Sequence, residues 1–116
     1  MNSYQSGKIA EFVARIFLSL KGYRFVAHNV VCGRGTTAGE IDLIMCKRKT
    51  LVFLEVKKRK NIETAAYAIS LQQQKRIRRA AQWFLAHHFA YNDFDCRFDA
   101  VLVSLPFKIQ HIENAW

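Results

Sequence analysis

Three charged residues, Asp42, Glu55 and Lys57, have the types and spacing to gather two carboxylates and an amine at one point, where they could hold a cation. Glu40-Ile41-Asp42 opens one apolar segment, and Glu55-Val56-Lys57-Lys58-Arg59 closes the next. In an extended chain residues i and i+2 share a face. Glu40 and Asp42 therefore point one way, as do Glu55, Lys57 and Arg59, with Ile41, Leu43, Leu54 and Val56 opposite. Leu51-Val52-Phe53-Leu54 reads as the buried approach to Glu55, which places these charges at the margin of a core. Charges there must be paired or bound to a cation. Two carboxylates that converge repel each other unless a cation lies between them. Hard oxygen donors suit Mg²⁺ or Mn²⁺. Asp42 and Glu55 are the expected ligands, with Glu40 a further one. Lys57 would orient or activate water, or stabilise charge on a phosphate. The competing reading is an exposed ion pair on an amphipathic hairpin.

These residues need a frame. Ile9, Phe12, Val13, Ile16, Phe17 and Leu20 recur at helical spacing, which predicts a helix over residues 4–21, capped by Ser3 or Ser6 and stopped by Gly22. Residues 23–31 are aromatic and β-branched, as in a strand. A glycine-containing loop, Cys32 to Thr37, leads to a second strand over residues 39–47. The basic turn Lys47-Arg48-Lys49 joins it to a third over residues 50–58, so the two should form an antiparallel hairpin. A short helix over residues 63–69 precedes a longer one that Ser70 caps and that runs to His88. Its apolar face holds Ile77, Ala80, Ala81, Phe84, Leu85 and His88; Lys75, Arg76, Arg79 and Gln82 cover the other. Tyr91-Asn92-Asp93 breaks it, and strands follow over residues 98–105 and 107–112, parted by Pro106. The order α-β-β-β-α-α-β-β is an α/β arrangement: one domain over residues 1–116, with a mixed central β-sheet flanked by helices.

Eighteen Lys and Arg against nine Asp and Glu give a net charge of +9. That is the electrostatic footprint of a nucleic-acid binder, with anionic lipid the competing partner. Lys58, Arg59 and Lys60 leave the third strand, and Lys75, Arg76, Arg78 and Arg79 lie on the long helix. With Arg34 they would line a groove following a phosphate backbone; alternatively they form a solvated helix face. Phe12, Phe17, Phe53, Phe84 and Phe98 sit at core spacing. His87 and His88 diverge on a helix and suit its negative end better than a shared metal. His28 and His111 read as structural, and Asp99 as either a support of the site or a buried hydrogen-bonded residue. Cys32, Cys46 and Cys96 form no CxxC pair, which argues against a disulfide scaffold or zinc knuckle. Cys46 and Cys96 read as small core residues. No N-terminal apolar run suggests a signal peptide, and no stretch approaches the ~18 apolar residues that cross a membrane. A cytoplasmic protein without membrane partners is expected.

The spacing Asp42-x12-Glu55-x-Lys57 resembles the PD-(D/E)xK signature of restriction-endonuclease-like nucleases, with Ile41 in place of the proline. In that superfamily the Asp and Glu bind metal and the Lys assists hydrolysis. A wider resemblance runs through Ser6 to Glu11, Gly22-Tyr23, Asn29, Gly39 to Ile44, Leu51 to Arg59, Lys75, Arg97-Phe98-Asp99 and His111 to Ala115. In that order these residues resemble the YraN family of small bacterial proteins, read as endonuclease-like and similar to archaeal Holliday-junction resolvases. The resemblance implies a restriction-endonuclease-like fold and a Mg²⁺-dependent endonuclease acting on DNA, including branched or junction DNA. It also implies a homodimer, and a role for Glu11 in completing the metal site. From the residues alone, Glu11 lies on the polar helix face with Lys8 and Arg15, opposite Ile9, Val13 and Ile16, and a surface pair with Arg15 serves equally. The segment from Cys32 to Gly39 is longer than the family's usual turn, and reads either as a phosphate-touching loop or as a tolerated insertion. The alternative function is a non-catalytic nucleic-acid-binding module, or an interaction protein of a repair or recombination complex.

Overall fold

A computed structural model describes residues 3–33, 39–59, 69–104 and 108–116, apart from the side chains of Ser3, Tyr4 and Ser6. Arg34, Lys60, Pro106, the loop at 34–38 and all but Ile69 of the helix expected at 63–69 lie outside the described residues, as do the Ser3 and Ser6 caps. The described elements are α1 (Ser3–Leu20), β1 (Arg24–Cys32), β2 (Gly39–Lys47), β3 (Thr50–Lys58), α2 (Leu71–His87), a 3₁₀ turn (Phe89–Tyr91), β4 (Asp95–Ser104) and β5 (Lys108–Ile112). The five strands form one mixed sheet in the order β1-β2-β3-β4-β5. Only the β3–β4 pair is parallel. The chain is thus α/β, with a helix on each face.

Alternation along β3 builds both cores. Val52 and Leu54 join Leu43, Met45, Val101 and Val103 under α1. Leu51 and Phe53 join Ile44, Cys46, Ile77 and Phe84 under α2. Helix α1 ends in a Schellman motif: Tyr23 N–H donates to Leu18 O and Gly22 N–H to Ser19 O, with Gly22 at φ 93°. Ser70 caps α2, its Oγ accepting the Gln73 N–H at 3.1 Å.

Three expectations are overturned. The stripe of α1 that faces the sheet is Ala10, Ala14 and Leu18, flanked by Val13 and Phe17. Ile9, Phe12, Ile16 and Leu20 are 38, 54, 49 and 84% exposed. Two adjacent stripes satisfy the same helical period, and the small alanines let the helix approach the sheet. Secondly, Ile41 and Leu43 do not share a face. Ile41 packs under α2 and Leu43 under α1, so β2 loses its alternation across Asp42. Thirdly, Cys96 is exposed, whereas Cys32 and Cys46 are buried. Here β4 starts three residues earlier than the apolar pattern does, because parallel pairing of Thr50 with Asp95 recruits the polar residues 95–97.

Asp99 is fully buried yet saturated with donors. It accepts from Arg97 Nε at 2.9 Å, Arg97 Nη2 at 2.8 Å, His111 Nε2 at 2.7 Å and Asn114 N–H at 3.1 Å. Lys21 Nζ lies 2.8 Å from His111 Nδ1, which assigns the His111 proton to Nε2. Arg97 also donates to Tyr23 Oη at 2.6 Å. The network ties the end of α1 and the start of β1 to β4 and β5, and its partners are not the site carboxylates. Burial alone would raise the Asp99 pKa; the bonds from His111, Arg97 and Asn114 more than offset this and hold it below the usual range. A lowered folded-state pKa stabilises the protein above the unfolded value, and that stability is lost as pH falls through the folded value. Melting temperature should therefore drop below about pH 4, and Asp99→Asn should cost about 3 kcal/mol at neutral pH while flattening this acid limb.

Gly39 permits the close seating of α2. A Cβ there would stand 2.4 Å from Arg76 O and 3.2 Å from Ala80 Cβ. Gly39→Ala should lower stability by about 1–3 kcal/mol in urea unfolding, through overpacking; an unchanged midpoint would mean that α2 shifts without cost.

Candidate active site

The β2–β3 ladder runs from Lys47–Thr50 to Leu43–Leu54. Beyond it, the Val56 N–H donates to Asp42 Oδ2 at 2.9 Å. The side chain of one strand thus replaces the ladder bond of the other, and Asp42 is fixed against Glu55. Glu55 itself is 7% exposed. Its Oε1 accepts from Gln73 Nε2 at 3.2 Å and lies 3.5 Å from Lys57 Nζ. Burial, then the charge and hydrogen bonding of Asp42, push the Glu55 pKa up to about 8, against the pull of Lys57. Two carboxylates here share too little positive charge, so a proton supplies the remainder. A divalent cation fits the same place: its donors would be hard carboxylate oxygens, and its charge would remove the need for the proton.

Two clefts open from this point. One, of about 230 Å³, runs between β2 and α2 and is lined by Glu40, Asp42, Glu55, Gln73 and Arg76. The other, of about 450 Å³, runs toward α1 and is lined by Lys8, Glu11, Asn29, Glu40, Asp42 and Val56. Glu40 and Asp42 border both. Glu11 lies at the second cleft, and its partner there is His28 Nδ1 at 3.0 Å. Arg15, the partner expected for it, instead lies over the Phe25 ring. Among the described residues no three carboxylate, imidazole or thiol groups converge as a ligand set. Asp42, Glu55 and Lys57 come together; Glu40 and Glu11 stand at the cleft walls.

Of the expected nucleic-acid contacts, Arg76 reaches the first cleft. Lys75 and Arg79 lie exposed on α2. Arg78 lies over Phe98, 4.6 Å from its centroid. Lys58 is exposed at the end of β3, and Arg59 folds back to donate to Lys58 O at 2.8 Å. His87 and His88 turn Nδ1 onto Trp83 O and Phe84 O, at 2.7 and 2.8 Å, and so serve the helix end. His28, read as structural, is exposed and pairs with Glu11.

Gln73 is not singled out by the sequence, and Asn29 only as part of the family resemblance. Ser70-x-x-Gln73 has capping-box spacing, which marks the helix start. It carries no sign that the Gln amide turns to Glu55. Asn29 takes φ 51° inside β1, a left-handed conformation that Asn tolerates better than most residues.

A carboxyl whose folded-state pKa is raised stabilises the protein only while protonated. That stability is present below the unfolded value of 4.5 and is lost as pH rises through about 8. Metal-free protein should therefore melt at a lower temperature at pH 8 than at pH 5. Glu55→Gln should remove most of that drop; an identical drop in the variant would assign it to other groups.

Curated relatives align along nearly the whole chain. A UPF0102 protein of Paramagnetospirillum magneticum is 40% identical over 111 residues, covering 95% of this chain and 85% of the relative. One from Rhodopseudomonas palustris is 41% identical over 114 residues, covering 98% and 82%. A third, from Nitrobacter winogradskyi, is 40% identical over 114 residues, covering 98% and 93%. Residues 10–103, which hold Glu11, Asp42, Glu55, Lys57 and Gln73, match the corresponding family as a whole, and the chain belongs to the uncharacterised protein family UPF0102.

Proposed function

We propose that this chain is a metal-dependent endonuclease of restriction-endonuclease-like fold that hydrolyses phosphodiester bonds in DNA, including branched or junction DNA. The reading rests on half-buried Asp42 beside buried Glu55, with Lys57 Nζ 3.5 Å from Glu55, opening onto a cleft that also holds Arg76. Asp42 and Glu55 would hold Mg²⁺ or Mn²⁺, with Glu40 the next carboxylate along the cleft. When bound, the cation polarises the phosphate and makes water a better nucleophile. Val56 N–H keeps Asp42 oriented, and Gln73 keeps Glu55 oriented. Lys57 supplies a donor and a positive charge where phosphate charge grows. Arg76, Lys75, Arg79, Lys58 and Arg59 contribute charge for the phosphate backbone. Glu11, which lines the second cleft with Asp42, would complete the metal site. A homodimer belongs to this reading because a junction presents two equivalent strands. No described helix is long and apolar enough to cross a membrane.

A second reading, a nucleic-acid-binding module without catalysis, is favoured by one observation. Only two carboxylates converge among the described residues, fewer than the three protein ligands many catalytic metal sites use.

The readings separate in one assay: labelled linear, nicked and four-way-junction DNA incubated with the protein and Mg²⁺ or Mn²⁺. Metal-dependent cutting that falls on the order of 10³-fold in Asp42→Ala and Glu55→Ala would support the nuclease. Binding without cutting by folded wild type, under every metal tried, would leave the binding module.

A further inference from the structure

Beside the second cleft lies an aromatic and cationic surface that the proposed hydrolysis does not use. Phe12 projects from the outer face of α1 and is 54% exposed. One turn on, Arg15 lays its guanidinium 3.7 Å from the centroid of Phe25, on the edge strand β1. Phe25 is 37% exposed, and the His28 ring stands 5.8 Å from it. Phe12, Arg15 and His28 line one open cleft, which shares Lys8, Glu11 and Asn29 with the cleft leading to Asp42. A continuous path therefore joins Asp42 to the Phe12 ring. Phe12 was expected in the core; the alanine stripe of α1 took that place and left the ring outside.

Exposed rings cost free energy in water unless something covers them. Ile9, Ile16 and Leu20 extend the exposed α1 face and would by themselves suit an apolar partner. The surroundings of Phe12 do not: Lys8, Arg15, His28 and Asn29 are polar or cationic, and the one carboxylate there, Glu11, is engaged by His28. Flat rings, a guanidinium lying over one of them, and surrounding positive charge are what single-stranded nucleic acid requires. Its bases stack on aromatic and Arg planes while its phosphates follow the cations. A paired duplex has no free base face to offer.

We propose that Phe12, Arg15, Phe25 and His28 form a stacking platform for unpaired nucleobases of a strand that continues from the Asp42–Glu55 site. This rests on the reading of that site as one that handles nucleic acid, and it narrows the substrate to DNA with a single-stranded or splayed segment next to the bond cut.

The test uses the full chain with EDTA present, so that binding is read without cutting. The probes are a short single-stranded DNA carrying a fluorescent adenine analogue and a blunt duplex of equal length. Wild type should bind the single strand more tightly than the duplex and quench the analogue through stacking. Phe12→Leu keeps the apolar bulk and removes the ring. It should weaken single-strand binding about 5- to 100-fold, abolish the quench and leave duplex binding nearly unchanged, whereas Phe12→Trp should retain all three properties. Duplex and single strand bound alike, with Phe12→Leu indistinguishable from wild type, would overturn the platform and leave the nuclease reading standing. No binding to either DNA would overturn both. A Phe12→Leu protein that changes from dimer to monomer in sedimentation, with DNA affinity unchanged, would assign the face to a second copy and overturn the platform.

Discussion

Where the β2–β3 ladder stops, the Val56 amide has no strand to donate to, and the Asp42 carboxylate accepts it instead. A buried N–H left without an acceptor costs ~1–3 kcal/mol, so a side chain in that place is strongly held. The rest of the site follows from this substitution. Strand β2 loses its alternation across Asp42, so Ile41 packs under α2 while Leu43 packs under α1. The strands part, and clefts open toward both helices with Asp42 and Glu40 between them. A regular ladder would have closed this gap and turned Asp42 to one face only.

Among the described residues the two most deeply buried carboxylates, Asp99 and Glu55, show how surroundings divide structure from chemistry. Asp99 receives donors from Arg97, His111 and Asn114, and its charge is fully answered. Glu55 has one lysine at 3.5 Å and one amide, and faces a second carboxylate. The first arrangement stabilises a fixed charge. The second destabilises one, and protonation of Glu55 relieves it. Sequence alone gives both residues the same description, an acidic residue inside an apolar strand.

Most of the frame was legible in the sequence because it depends on local rules. The basic turn, the hairpin register, the Ser70 cap and the buried face of α2 each follow from spacing within a few residues, except that His88, expected on that face, is the exposed cap beyond the helix end. Asp42, Glu55 and Lys57 were legible for the same reason: strand alternation and a short turn bring them together. What could not be read depends on contacts between distant segments. Which of two helical stripes α1 buries is settled by how closely the sheet lets it approach, and period alone does not distinguish them. Gln73 on Glu55 and His28 on Glu11 join residues far apart in sequence. Cys96 was misplaced because parallel pairing with β3 extends β4 beyond its own apolar run.

That parallel pairing also orders events in time. The β2–β3 hairpin closes over a two-residue turn, whereas Thr50 must meet Asp95 across the length of chain that contains α2. Local contacts form quickly; distant ones wait on loop closure. Asp42 and Glu55 are thus brought side by side while water still solvates them, and their repulsion is weak. Docking of α2 and β4 comes later, removes that water and supplies Gln73. The electrostatic penalty of the site therefore belongs to the docking of α2 and β4, and not to the closure of the hairpin.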